Sequence, residues 1–121
     1  MSQILITNSF NKELAHTRIA TVQDVTILIT RHQRGLPSLI SLYSSHKEFT
    51  VLKGYLGKGR SLRIAILLQV KKETYIPFFV AKKSSQEGWN VSKYSKEYLA
   101  HRIDRALIDI QQHNYTIIQL A

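Results

Sequence analysis

The stretch FTVLKGYLGKGRSLRIAILLQVKKETYIPFFVAKK, residues 49–83, decides the fold. Phe49–Tyr55 is rich in β-formers and runs into Gly54-Tyr55-Leu56-Gly57-Lys58-Gly59, where glycines punctuate the chain. Ser61–Val70 is a long apolar run, flanked too strongly by turn residues to be a comfortable helix. Lys71-Lys72-Glu73 makes a short polar turn, and Thr74–Ala81 is again β-type, so these last two segments form a hairpin. Pro77 lacks a ladder donor, which demands either a sheet edge or a bulge at that point.

On the N-terminal side, Ile4–Thr7 reads as a first strand. Asn8 or Ser9 is expected to cap a short helix with Phe10 and Leu14 on one face. Thr21-x-x-Asp24 resembles a capping box, and Val22, Val25, Ile29 and His32 then recur at helical spacing until Gly35 and Pro37 stop the helix. On the C-terminal side, Ser84–Gly88 reads as a loop, and Asn90 or Ser92 opens a helix reaching about His113. Leu99, Ile103, Leu107 and Ile110 mark its buried stripe, with Ala106 inside it. Tyr115–Leu120 is short, β-branched and apolar, and either adds a strand or docks on the core. With no repeat, linker or low-complexity tract, the expectation is one domain over residues 1–121. Its class is α+β: a small, mostly antiparallel sheet with an N-terminal helical hairpin and a C-terminal helix.

Composition narrows the chemistry. The 121 residues hold 17 Lys+Arg against 8 Asp+Glu and no cysteine, a formal charge of +9. Without cysteine there is neither a disulfide frame nor a thiolate nucleophile. No basic leader precedes an apolar run and no stretch is long enough to span a bilayer, so a soluble cytoplasmic chain away from membranes is expected. The charge is concentrated. Lys47, Lys53, Lys58, Arg60, Arg63, Lys71, Lys72, Lys82 and Lys83 face only Glu48 and Glu73, which places +7 in less than a third of the chain. Such a focus suits a polyanion, nucleic acid first. Lysines that guard strand edges explain part of it, but edge protection does not call for arginines beside glycines.

Other chemistries are poorly served. His16, His32, His46, His101 and His113 fall in no metal-ligand motif, so no metal and no cofactor are expected. Glu97 and Asp104 share a helix with Arg102 and Arg105, which reads as an exposed charged face rather than a catalytic acid pair. Gly57-Lys58-Gly59-Arg60-Ser61 is not a P-loop, since GxxxxGK[ST] is absent and a strand follows. In the expected hairpin, Arg63 near the start of one strand meets Lys82 and Lys83 at the end of the next, with the Lys58 loop at the same end. Fixed cations gathered this way hold phosphates or stabilise a phosphorane-like transition state.

Taken in order, GKGRSLRIAILLQV, then TYIPFFVAKKS, then NVSK and a final helix resemble the RelE/ParE superfamily of type II toxin–antitoxin toxins, its HigB-like members most of all. The resemblance follows the order of elements from Ile4 to Ile110 and is sharp from Phe49 to Ser92. It implies a RelE-like fold and a ribosome-dependent mRNA endonuclease, silenced by a cognate antitoxin, in which the RNA's 2′-hydroxyl attacks the adjacent phosphate without a metal. It further implies that Arg63 contacts the scissile phosphate and that Lys82 and Lys83 support the transition state or leaving group. Lys53 and Lys58 match lysines that the family places before the arginine strand, either of them a candidate base, and Lys58 joins the catalytic set. Arg60 and Lys53 then hold RNA, with Lys47 as a further cation. Known members carry a tyrosine soon after the cationic strand end. Here the nearest aromatics are Trp89, a candidate base-stacking group, and Tyr94, more suited to anchoring the last helix. Two other functions stand beside this one: a ParE-like gyrase inhibitor, and a nucleic-acid-binding module without catalysis.

Overall fold

The structure, a computed structural model, describes residues 2–45, 48–83 and 96–120. Among them are six strands and three helices: β1 (Gln3–Thr7), α1 (Asn8–Thr17), α2 (Val22–Gln33), β2 (Leu39–Ser45), β3 (Phe49–Leu56), β4 (Leu62–Gln69), β5 (Thr74–Lys82), α3 (Lys96–Gln111) and β6 (Tyr115–Gln119). The strands form one sheet in the order β2-β3-β4-β5-β1-β6. β1 runs parallel to β5, and every other neighbouring pair is antiparallel. No helix among the described residues is long and apolar enough to cross a membrane.

The mixed α+β class is observed, while the sheet is larger and the helices are placed differently than the sequence suggested. α1 and α2 do not form a packed hairpin; each sends apolar residues to one face of the sheet. Phe10, Leu14, Val25 and Ile29 meet Ile4, Ile6, Leu52, Leu62, Ile64 and Ile66 there. β1 pairs with β5 only at Gln3–Thr74 and Ile4–Tyr75, so the rest of that β5 edge is left to α1, which packs along it. α3 covers the opposite face through Leu99 and Ala106, against Leu5, Ala65, Ile76, Phe78 and Phe79. It is not the last element, because Tyr115–Gln119 pairs with all of β1 as β6. Leu107 is 38% exposed and lies outside the buried stripe.

The local signals explain where elements begin. Thr7, not Asn8 or Ser9, caps α1, its hydroxyl accepting from the Phe10 N–H at 3.2 Å. The Ser9 N–H donates instead to Asp109 Oδ2 of α3 at 2.9 Å. The Thr21–Asp24 capping box is formed in full. Past the C-terminus of α2, Gly35 takes φ 76 while its N–H donates to the His32 carbonyl. Pro77 lies at a bulge: Ala65 pairs with Phe79 and Ile66 with Pro77, leaving Phe78 unmatched. The extra residue lets Phe78 and the adjacent Phe79 both enter the α3-side core. The caps expected at Asn90 or Ser92 and the loop expected at Ser84–Gly88 lie outside the described residues.

Tyr75 supports the other face, edge-on to His32 with centroids 6.1 Å apart. Burial, with the Glu73 carboxylate second, raises its phenol above the usual 10.0. The folded state therefore favours the neutral ring. Its contribution is fully present below the unfolded tyrosine's pKa and is lost as pH rises through the folded value. Thermal melting followed from about pH 9 to about pH 11 is expected to show an alkaline loss of stability that Tyr75→Phe makes shallower. An unchanged alkaline slope in that variant contradicts this origin.

Candidate functional site

β3 and β4 are joined through Gly57–Ser61, which contains a 3-10 turn at Lys58–Arg60. Pairing on both sides of this turn is regular, with Leu56 opposite Leu62 and Tyr55 opposite Arg63. Arg63 is in turn opposite Ala81 on β5. Cross-strand partners share a face, so Tyr55, Arg63 and Ala81 form one row on the face covered by α3. Lys53, Ala65 and Phe79 form the next row. The Lys83 N–H donates to the Ser61 carbonyl at 2.7 Å and continues the β4–β5 ladder by one residue, which returns Lys83 to the Arg63 face.

The turn itself is held in unusual backbone. Gly57 (φ 80), Gly59 (φ 67) and Arg60 (φ 57) all lie in the left-handed half of conformational space. For Arg60, which has a Cβ, that conformation costs on the order of 1–3 kcal/mol. At Gly57 a Cβ would come within 2.6 Å of Ile19 Cγ2 and 2.9 Å of Ser61 Oγ, so only glycine lets the turn lie this close to Ile19, between α1 and α2. This conformation carries the Arg60 guanidinium back over the Tyr55 ring, with Cζ 4.1 Å from its centroid.

Three cations converge on that ring. Arg63 Cζ lies 5.5 Å and Lys83 Nζ 5.7 Å from the same centroid. The negative face of a tyrosine ring attracts each of them and offsets part of their mutual repulsion. The ion pairs among the described residues join Lys71 to Glu48 and Arg102 and Arg105 to Glu13; none includes Arg60, Arg63 or Lys83. Arg63 Nε is buried and has no hydrogen-bond partner among the described residues. A cluster of half-buried Arg63 on β4 with exposed Arg60 and Lys83 from the flanking turns, paired with no carboxylate among the described residues, is suited to hold an anion.

The expected site residues divide accordingly. Arg63, Arg60 and Lys83 come together. Lys53 is two residues before Tyr55 on the same face, half-buried. Lys58 is exposed on the turn and meets the cluster only through the chain. Lys82 is separated from it. It pairs with Leu62, whose side chain enters the α1–α2 core, so Lys82 projects from the opposite face and lines a groove with His16 and Arg105. The sequence placed Lys82 and Lys83 at the right end of the sheet, but adjacent strand residues point to opposite faces. Lys47 and Trp89, as well as Tyr94, lie outside the described residues.

Two features were not foreseen. Tyr55 is the centre of the cluster, whereas the resemblance puts the aromatic after β5. The signal was present: Tyr55 and Arg63 are equidistant from Gly59, the midpoint of the turn. Arg102 is not on an exposed charged face with Glu97 and Asp104. It is half-buried, paired with Glu13 of α1, and its Cζ lies 5.2 Å from the Phe79 centroid. Among the described residues no group of three His, Asp or Glu side chains is placed to hold a metal ion. Compared with known protein families, curated proteins and solved structures, the chain matches none.

Proposed function

We propose that this chain is a toxin ribonuclease of the RelE/ParE kind, cytoplasmic and silenced by a cognate antitoxin, that cuts mRNA on the ribosome. The observation that carries the proposal is the Tyr55 cluster, with Arg60, Arg63 and Lys83 between 4.1 and 5.7 Å from one ring and unpaired with carboxylates among the described residues. In the reaction, the 2′-oxygen bonds to the adjacent phosphorus and the bond to the 5′-oxygen breaks. The products are a 2′,3′-cyclic phosphate and a 5′-hydroxyl. The nucleophile belongs to the RNA, so the protein's task is to align it and to meet the charge that builds on the phosphoryl oxygens.

Arg63 is the group for the scissile phosphate, since its planar guanidinium can give two parallel hydrogen bonds to phosphate oxygens. Arg60 holds a neighbouring phosphate, and Lys83 takes the leaving-group side alone, the role the resemblance divides between Lys82 and Lys83. Lys53 and Lys58 remain for proton transfer, Lys53 from the same sheet face and Lys58 from the turn. A cation held on a strand, as Arg63 is on β4, needs little reorganisation as the charge develops, and removing a single such donor typically costs about 10²–10³ in rate.

Tyr55 acts as a positioning residue. Tyr55→Leu is expected to lower cleavage roughly tenfold, equivalent to about 1.4 kcal/mol, within the span of two or three cation–π contacts. Tyr55→Phe keeps the ring face and is expected to stay near the parent rate. A Phe variant as impaired as the Leu variant would assign the effect to the hydroxyl instead.

The proposal is tested by inducing the protein in a bacterium and mapping mRNA 5′ ends. Growth arrest with cuts phased to the reading frame is the expected result. Arrest with DNA damage and intact mRNA would identify a gyrase inhibitor. Salt-sensitive nucleic-acid binding without toxicity would identify a binding module.

A further inference from the structure

The sheet has two outer strands, β2 and β6. Neither carries a charged residue, although edge strands are commonly guarded by lysine, proline or a bulge. β2 has a bulge, at the register shift between Ser41 and Tyr43. β6, Tyr115-Thr116-Ile117-Ile118-Gln119, has no such device and pairs residue for residue with β1. At the two ends of that ladder the Asn8 N–H donates to the Asn114 carbonyl and the Leu120 N–H to the Ser2 carbonyl. Antiparallel alternation therefore turns the backbone of Thr116 and Ile118 toward β1, and that of Tyr115, Ile117 and Gln119 away from it. These outward N–H and C=O groups have no hydrogen-bond partner among the described residues.

The side chains leave this edge apolar as well. Ile117 is the cross-strand partner of Leu5, so it lies on the α3 face, where it is 48% exposed. Thr116 and Ile118 lie on the other face, opposite Ile6 and Ile4. The charge is elsewhere. β1 has no charged residue either, the α3 sequence balances three cations with three carboxylates, and the excess belongs to β3–β5 and their turns. An acidic partner finds nothing to pair with along β6, whereas a second copy of a +9 chain meets no repelling group on it. Across a β6–β6 contact the two β5 strands would stand five spacings of about 4.8 Å apart, well beyond the Debye length of about 8 Å.

We infer that β6 is a self-association edge, which pairs antiparallel with β6 of a second copy of this chain about a two-fold axis at Ile117. Centred there, the pairing uses all three outward residues: Ile117 faces Ile117 of the second copy, and Tyr115 faces its Gln119. On the other face Thr116 meets Ile118. The same patch serves both copies, so the assembly closes as a dimer with one sheet continuous across it. A five-residue strand from each side makes a narrow contact, of the reversible rather than the obligate kind. β4, β5 and β1 separate β6 from Tyr55 on β3, so the pairing takes place away from that cluster and stands apart from the proposed reaction.

The test is sedimentation equilibrium of the full chain from about 1 μM to about 1 mM. The parent mass is expected to rise with concentration from 13.9 kDa toward twice that value. Ile117→Lys and Ile117→Glu each set like charges face to face on the axis and should weaken association roughly tenfold or more. An equimolar mixture of the two should recover the dimer, which also shows that both variants fold. Ser44→Lys, at an exposed position of β2, should associate as the parent does. A parent that stays monomeric overturns the self-pairing and leaves β6 to a strand of another protein. Association that survives Ile117→Lys overturns it as well, and its loss in Ser44→Lys would move the interface to β2. A mixture that remains monomeric, with both variants keeping the parent's circular dichroism, overturns the pairing at Ile117. Amide exchange in the parent reads the contact without any substitution. The Ile117 and Gln119 N–H groups should gain protection as concentration rises, and exchange that does not change overturns the contact whatever the variants do.

Discussion

Arg63→Ala is expected to remove toxicity and to lower RNA cleavage by about 10²–10³-fold while leaving the sheet intact. The side chain is half-buried on a central strand, but its neighbours Leu62 and Ile64 are fully buried and carry the packing of that segment. Its guanidinium faces Tyr55 and has no carboxylate partner among the described residues, so its removal breaks no ion pair seen there. Arg63→Lys separates charge from shape. An ammonium keeps the positive charge but cannot match a phosphate with a planar fork, so this variant should recover part of the activity and not all of it. Cleavage kinetics with melting curves for each variant make the check. Full activity in Arg63→Ala would remove Arg63 from the site.

The largest effect on stability is expected at Phe79. The ring is 0% exposed, meets Tyr98 edge-on at 6.4 Å and lies beneath Arg102. It joins α3 to the centre of the sheet, one row from Arg63. Phe79→Ala should cost about 3–5 kcal/mol out of a total of about 5–15 kcal/mol for a domain, lowering the melting temperature by roughly 10–20 °C. Phe79→Leu refills most of the volume and should cost distinctly less. A melting temperature within about 2 °C of the parent in Phe79→Ala would mean that α3 is held by the Glu13–Arg102 and Asp109–Ser9 contacts rather than by this packing.

Much of the fold was legible because periodicity and turn chemistry agree along β3, β4 and β5, and because Thr21 and Asp24 form a self-contained cap. Leu39–Ser45 was missed. Its three serines and exposed Ile40 give no clean alternation, and a register shift between Ser41 and Tyr43 breaks the period. Its place in the sheet comes from pairing with β3, a non-local term that composition does not carry. The opposite faces of α1–α2 and α3 were also beyond reach, since each amphipathic stripe says that a helix is buried but not on which side. For the candidate site, the focused charge led to the end of the sheet where Arg60, Arg63 and Lys83 converge on Tyr55. What it did not resolve was the face. Arg63 and Lys83 share one with Tyr55, and Lys82 is turned away by a single step along β5.

The most direct test of the cationic cluster as a ribonuclease centre is the chemistry of the RNA ends it leaves. Translating ribosomes charged with a defined mRNA, incubated with the purified chain, should yield fragments ending in 2′,3′-cyclic phosphate with 5′-hydroxyl partners. A single 2′-deoxynucleotide at the cut site should prevent that cut, and Arg63→Ala should leave the message intact. Cleavage that survives the 2′-deoxy substitution, or an mRNA left whole by the parent chain, would contradict the account.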